Sequence, residues 1–267
     1  MTPPAQALAL VPGAAQREPL RLERLQGGSV NEVWRVDTDA GRFVLRMDGP
    51  GWRRPGVDRA RELRLHAIAA AAGLAPRIVA TSAALDVWVS EFVAGRNWTS
   101  RDYADPQQLQ RLGQQLAQLH RLPAPADVAL FDPVSIAHGY ISGREQPDAD
   151  TTRRVLRLLR QIQRAHDALA IRAATPAVVH GDPVHGNLID GEQLWLLDWE
   201  YAQRADPIFD VAAVLVYYPE AMSGRAALLE AAQQPGDEPA LAAAMTIHRA
   251  LGDLWLYARG EALPPHG

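Results

Sequence analysis

The chain has 267 residues, of which 48% are hydrophobic and 22% charged, and its formal net charge is −4. That composition excludes a disordered chain and a nucleic-acid-coating role, and leaves material for one large domain or two small lobes. Cysteine is absent and all 27 basic side chains are arginine, so disulfides, thiolate metal sites, Schiff-base lysines and Walker-type lysines are excluded, and a phosphate-binding cation must be Arg or a metal.

No apolar run reaches the ~18–20 residues that span a bilayer, and no basic residue precedes Arg17, so the start lacks the positive region of a signal peptide. Pro3, Pro4, Pro12 and Gly13 predict a flexible arm over 1–18. The expectation is a cytoplasmic protein, monomer or homodimer, with no nucleic-acid or membrane partner.

Strands are predicted over Leu20–Leu25 and Val30–Val36, around Gly27-Gly28-Ser29, with a third at Phe43–Met47 after an Asp39-Ala40-Gly41 turn. Gly49–Gly56 reads as a loop rich in Gly, Pro and Arg. Asp58–Ala72 reads as a helix ending at Gly73. Two more strands follow at Arg77–Thr81 and Val87–Phe92, and Gly95 breaks the pattern. Leu109, Leu112, Leu116 and Leu119 recur at spacings of three and four, marking an amphipathic helix. Thr152–Arg172 is a second helix, its arginines a solvated face. Val178-Val179 and Leu194–Leu197 are short strands around a polar loop, and Pro207–Tyr218 and Pro239–Ala258 are helices. The order predicts an α+β protein with an N-lobe over 19–94 and a helical C-lobe over 95–267.

The polar loop carries the chemistry. In Val178-Val179-His180-Gly181-Asp182-Pro183-Val184-His185-Gly186-Asn187, Asp182 precedes Asn187 by five residues, and Asp198 follows Asn187 by eleven in Leu196-Leu197-Asp198-Trp199-Glu200. A loop Asp, a nearby Asn and a second Asp after the next hairpin can converge on one point. Phosphoryl transfer uses such a set: one carboxylate takes the proton of an attacking hydroxyl, while an amide oxygen and another carboxylate hold Mg²⁺ against nucleotide phosphates.

These segments resemble the catalytic and metal-binding segments of the protein-kinase-like phosphotransferases. His-Gly-Asp in place of His-Arg-Asp is similar to the aminoglycoside phosphotransferase and choline kinase group, bacterial thiamine kinases and choline/ethanolamine kinases above all. The resemblance covers roughly Leu20 to Tyr218. It implies a two-lobed kinase-like fold, with ATP and Mg²⁺ as cofactors. Asp182 would be the catalytic base, Asn187 and Asp198 the metal ligands, and Asp210 a buried brace for the loop. His180 would be structural, as would His120. Gly27, Gly28, Ser29 and Asn31 would form the turn over the phosphates. Arg46 takes the strand position where protein kinases carry Lys, with Glu62 on the next helix as its partner. Adenine would bond the backbone near Glu91 and Val93 in the hinge strand.

The run Asp198-Trp199-Glu200-Tyr201-Ala202 resembles thiamine and choline kinases, which makes Trp199, Glu200 and Tyr201 expected acceptor contacts. Glu200 either faces a cationic substrate or braces the loop. Trp255 either offers an aromatic face to a quaternary ammonium group or belongs to the core. The expected reaction is phosphorylation of the hydroxyl of a small, cationic metabolite such as thiamine, choline or ethanolamine. An aminoglycoside or amino-sugar kinase and a non-catalytic ATP-binding pseudokinase are the alternatives. A metal-dependent hydrolase built on His180, Asp182 and His185 would need a further ligand cluster that the spacing does not supply.

Overall fold

The first half of the chain folds into an antiparallel sheet and the second half into helices in this computed structural model, which describes residues 3–14, 21–25, 31–49, 53–142, 148–172, 174–234 and 236–264. The first half comprises α1 (Ala5–Leu8), β1 (Arg21–Arg24), β2 (Asn31–Thr38), β3 (Gly41–Asp48), α2 (Arg59–Ala71), β4 (Ile78–Ser82) and β5 (Val87–Glu91). The five strands pair antiparallel in the order β1-β2-β3-β5-β4. Alternation explains the sheet's inner face: Trp34 and Val36 of β2, Phe43 and Leu45 of β3, and Val87 and Val89 of β5 are buried together. Ala7 and Val11 are buried in the same cluster, and Thr38 Oγ1 donates to Pro12 O at 2.8 Å. Residues 3–14 are therefore packed on the sheet, which corrects the expectation of a flexible arm there. Ala7 and Val11 anchor them by apolar burial that a local reading does not see.

The second half comprises β6 (Arg96–Asn97), α3 (Pro106–His120), α4 (Pro133–Ile141), α5 (Ala149–Arg172), β7 (Ala177–Val179), β8 (Leu188–Asp190), β9 (Leu194–Leu196), β10 (Gln203–Ala205), α6 (Ile208–Tyr217), α7 (Arg225–Ala231) and α8 (Glu238–Ala258). The predicted leucine stripe of α3 is fully buried at Leu109, Leu112, Leu116 and Leu119. Helix α5 packs on α8 through Val155, Leu158 and Ile162 against Ala250, Leu254 and Tyr257. Helices α4 and α7 were not expected. Yet α4 carries its own start signal: Pro133 is its first residue, and Asp132 accepts from Val134 N and Ser135 N, both at 3.0 Å. Its nine residues are too few for a periodic pattern to stand out.

Two small ladders position the site. Strand β7 pairs with β10, and β6-β8-β9 forms a three-stranded sheet. Gly95 lies at the junction of the two halves, where a Cβ would come within 2.5 Å of Asp190 O. A backbone approach this close leaves no room for a side chain at this position.

Candidate active site

Strand β7 delivers the chain into His180, and Asp210, near the start of α6, receives it. Asp210 is fully buried and accepts from His180 N at 3.0 Å, Gly181 N at 2.7 Å and His120 Nε2 at 2.9 Å. Burial opposes its charge, but the hydrogen bond and charge of His120 outweigh it and keep the carboxyl below its ordinary range. His180 Nε2 faces Leu197 O at 2.9 Å, so that nitrogen holds the proton, and Nδ1 accepts from Asp182 N at 3.3 Å. Burial holds this imidazole below its ordinary pKa, hence neutral. Gly181 has φ +80°, and a Cβ there would overlap Tyr201 O. Only glycine combines that conformation with that approach.

Asp182 emerges from this turn. Asn187 Nδ2 donates to its Oδ2 at 2.9 Å and to its main-chain O at 3.0 Å. The hairpin β8–β9 returns the chain so that Leu197 N donates to Asn187 O at 2.8 Å, which brings Asp198 alongside. Asp198 has φ +56°, a strained conformation for a non-glycine residue and one that clusters at functional sites. Burial, then the charges of Asp198 and Glu200, raise the Asp182 carboxyl to about 7. Asp182, Asn187 and Asp198 thus meet, as the spacing implied. From the far side, Tyr103 Oη donates to Pro183 O at 2.8 Å and stacks on Tyr218 at 3.6 Å between ring centres. Tyr218 Oη in turn bonds His185 N at 2.8 Å and His185 Nδ1 at 2.7 Å. Nothing in the local sequence links these tyrosines to the loop.

Among the described residues no three His, Asp or Glu side chains form a ready-made metal cage. Mg²⁺ needs none, since it is ordinarily bound by one or two carboxylates together with phosphates and water. The donor set fits it. Asn187 turns its amide nitrogen to Asp182, leaving Oδ1 without a partner among the described residues, and the Asp198 side chain is 35% exposed.

Arg46 is buried at the centre of an ion network. Its guanidinium lies 2.8 Å from Glu62, 3.2 Å from Asp198, 3.4 Å from Asp48 and 3.5 Å from Glu200, and 4.4 Å from the centre of the Trp88 ring. Burial works against its charge, but these four carboxylates more than offset it and the pKa rises. The predicted Arg46–Glu62 pair is present. With its amide oxygen toward Arg46, Asn31 accepts from Nε at 3.1 Å and Nη2 at 2.7 Å, and donates to Asp48 Oδ1 at 3.2 Å. Asn31 thus orients the arginine. Gly27, Gly28 and Ser29 lie outside the described residues. In the hinge strand, the Glu91 amide donates to Arg77 O at 2.9 Å and that of Phe92 to Arg42 O at 3.0 Å. The next amide, that of Val93, has no partner among the described residues.

The acceptor contacts need correction. Trp199 is fully buried, donates from Nε1 to Leu196 O at 3.1 Å and packs its ring on His180 at 4.8 Å, so it is core. Glu200 is buried and ion-paired to Arg54 and Arg46, and lies 3.7 Å from Arg59. Of the two readings of Glu200, the geometry has it bracing the loop. Burial and the charge of Asp198 raise its pKa against the pull of Arg54 and Arg46. Neither Arg54, in the predicted loop 49–56, nor Arg59, in the predicted helix 58–72, stands out by sequence; in a lysine-free chain, the Arg53-Arg54 pair beside Pro55 is the available signal for the first. Arg54 Nε also donates to Tyr201 Oη at 3.2 Å.

Behind Asp182 opens a cavity of about 500 Å³. Gly181, Asp182 and Val184 of the loop after β7 form one wall. Tyr201 and Trp255, both expected here, line it together with Tyr140 and Tyr217, and Asp253 and Arg249 add charge. Burial raises the pKa of Asp253 against the pull of Arg154.

The profile of APH, the phosphotransferase enzyme family, matches residues 21–244. A choline/ethanolamine kinase family protein from Mesorhizobium loti superposes with a TM-score of 0.74, at 26% identity over 96% of this chain and 83% of its own. Choline kinase LicA from Streptococcus pneumoniae gives a TM-score of 0.74 at 18% identity over 93% and 89%, and LicA is also known in complex with AMP. An aminoglycoside-3'-phosphotransferase of type VIII gives 0.63 at 22% identity over 87% and 94%. The comparison with curated proteins gives no match.

Proposed function

The chain belongs to the APH phosphotransferase enzyme family, and from that premise we propose that it is an ATP- and Mg²⁺-dependent kinase phosphorylating the hydroxyl of a small cationic metabolite, of the kind represented by thiamine, choline and ethanolamine. The observation that carries this reading is the meeting of Asp182, Asn187 and Asp198 beside a cavity that opens on Asp182. Asp182 orients the acceptor hydroxyl and takes its proton as the oxygen bonds to the γ-phosphorus. The bond from that phosphorus to the β–γ bridging oxygen breaks, and ADP leaves. Asn187 Oδ1 and Asp198 would hold Mg²⁺, which when bound neutralises charge on the phosphates. Arg46, kept in place by Glu62 and Asn31, supplies the fixed cation of the nucleotide side. The Val93 amide would bond the base. Asp182 and Asp253 outnumber Arg249 among the charged side chains lining the acceptor cavity, which favours a cationic acceptor.

The test is ADP release with Mg·ATP over choline, ethanolamine, thiamine, amino sugars and aminoglycosides. At least one cationic alcohol is expected to be phosphorylated. Asp182→Ala is expected to lower turnover by at least 10³-fold while nucleotide affinity changes little. Near-normal turnover of Asp182→Ala would remove the proposed base, and no turnover with any acceptor would favour an ATP-binding protein without catalysis.

A further inference from the structure

Resting on that reading of the site, we propose that the acceptor alcohol is carried on an extended, mainly apolar body, larger than choline or ethanolamine, which fills the cavity behind Asp182 and presents one N–H or O–H donor to His248.

Size is the first argument. The cavity holds about 500 Å³. Even at the ~30 Å³ that a water molecule takes in the liquid, the roughly seven non-hydrogen atoms of choline fill less than half of it. A volume of this order suits a molecule of drug-like dimensions.

The second argument is that the two expected aromatic contacts, Trp255 and Tyr201, each already hold a guanidinium on one ring face. The Arg259 guanidinium lies 4.6 Å from the centre of the Trp255 ring, and that of Arg54 lies 5.7 Å from the centre of the Tyr201 ring. A ring face that holds a guanidinium does not also hold a quaternary ammonium group. What these residues offer the cavity is hydrophobic surface.

The rest of the wall agrees. Phe131 meets Phe209 edge to face at 4.9 Å, and Val184 and Leu251 continue the apolar lining. A polyhydroxylated sugar would bury hydroxyls against this wall without partners, at about 1–3 kcal/mol for each. An aromatic or hydrocarbon body is stabilised by the same surface.

His248 supplies the polar point. It lines the cavity, and its Nε2 lies 2.9 Å from Phe209 O, so Nε2 carries the proton and Nδ1 keeps its lone pair. Nδ1 has no partner among the described residues. Burial lowers the pKa of this imidazole to about 4, which leaves it a neutral acceptor at pH 7.

The experiment compares choline with N-benzyl-N,N-dimethylethanolammonium, which keeps the hydroxyl and the charge and replaces one methyl by a benzyl group. Both kcat/KM with Mg·ATP and calorimetric affinity in the presence of Mg·ADP are measured. The benzyl compound is expected to exceed choline by at least tenfold in each. Leu251→Trp, which intrudes on the apolar wall, should shrink that ratio at least tenfold. A ring-amino derivative of the benzyl compound should bind tighter still on the wild type, and that extra gain should vanish in His248→Phe. Equal or weaker binding of the benzyl compound, or no binding of either, overturns the inference. No gain from the amino group, or a gain that survives in His248→Phe, removes His248 from it. Tighter benzyl binding with no ADP release would leave the inference standing and the kinase reading refuted, so the two failures are separable.

Discussion

Asp182 is pressed by burial and by the charges of Asp198 and Glu200 until its carboxyl titrates at about 7, against an ordinary aspartate near 4. A general base is most effective with a pKa near the working pH, so kcat/KM is expected to fall about tenfold per pH unit below about 7 as the free enzyme takes up this proton. The same shift has a stability consequence. Between pH 4 and 7 the folded protein holds a proton that the unfolded chain has released. The stability this provides is fully present below pH 4 and is lost as pH rises through 7. Asp182→Asn keeps the acceptor for Asn187 and removes the titration. It is expected to be more stable than the wild type by on the order of 1–3 kcal/mol at pH 8, with the difference fading toward pH 4. Urea unfolding across that range checks it; a pH-independent difference would show that the carboxyl does not titrate as described. At this scale the convergence of the three candidate residues was legible because a hairpin of fixed length joins them. Trp199 and Glu200 were not, because the left-handed turn at Asp198 decides which way each side chain points.

The turn at Gly181 joins β7 to the reacting loop and works only because no side chain intrudes on Tyr201 O. Gly181→Ala adds both a disfavoured φ and a backbone collision, so a loss of ~1–3 kcal/mol in stability is expected, together with a larger fractional loss in kcat than in nucleotide affinity. Denaturant unfolding and single-turnover ADP formation measure the two. A variant with unchanged kcat would mean that the loop tolerates a shift of Asp182. Long periodic elements such as α3 and α5 were readable because their leucine stripes repeat over several turns. Helix α4 was not, although Asp132 and Pro133 mark its start, because nine residues with Gly139 inside offer no stripe. The packing of 3–14 on the sheet was not legible for a related reason: Ala7 and Val11 are buried in one cluster with Trp34, Val36 and Leu45, which lie outside their own segment.

Across the whole molecule, Arg46 ties the halves together. Asp48 and Glu62 come from the sheet half, Asp198 and Glu200 from the helical half, and Arg54 and Arg59 share the same acids. Removing one partner from a buried ion cluster leaves uncompensated charge. Arg46→Met is therefore expected to lose ~3–5 kcal/mol at pH 7. The loss should be smaller at pH 5.5, because Glu62 and Glu200 already have raised pKa values and take up protons more readily as pH falls. Urea unfolding at the two pH values decides it, and an equal loss at both would mean that these acids stay charged throughout.

By itself the sequence determined the α+β order and put forward Arg46 and the Asp182, Asn187 and Asp198 set as candidates, because each rests on spacing along one strand, helix or hairpin. Only the tertiary structure decided which acids neutralise which arginines, that Trp199 belongs to the core, and that the cavity beside Asp182 is large and mainly apolar. Those properties depend on side chains from separate elements, up to the separation of 154 between Arg46 and Glu200, and no local pattern records where such groups meet.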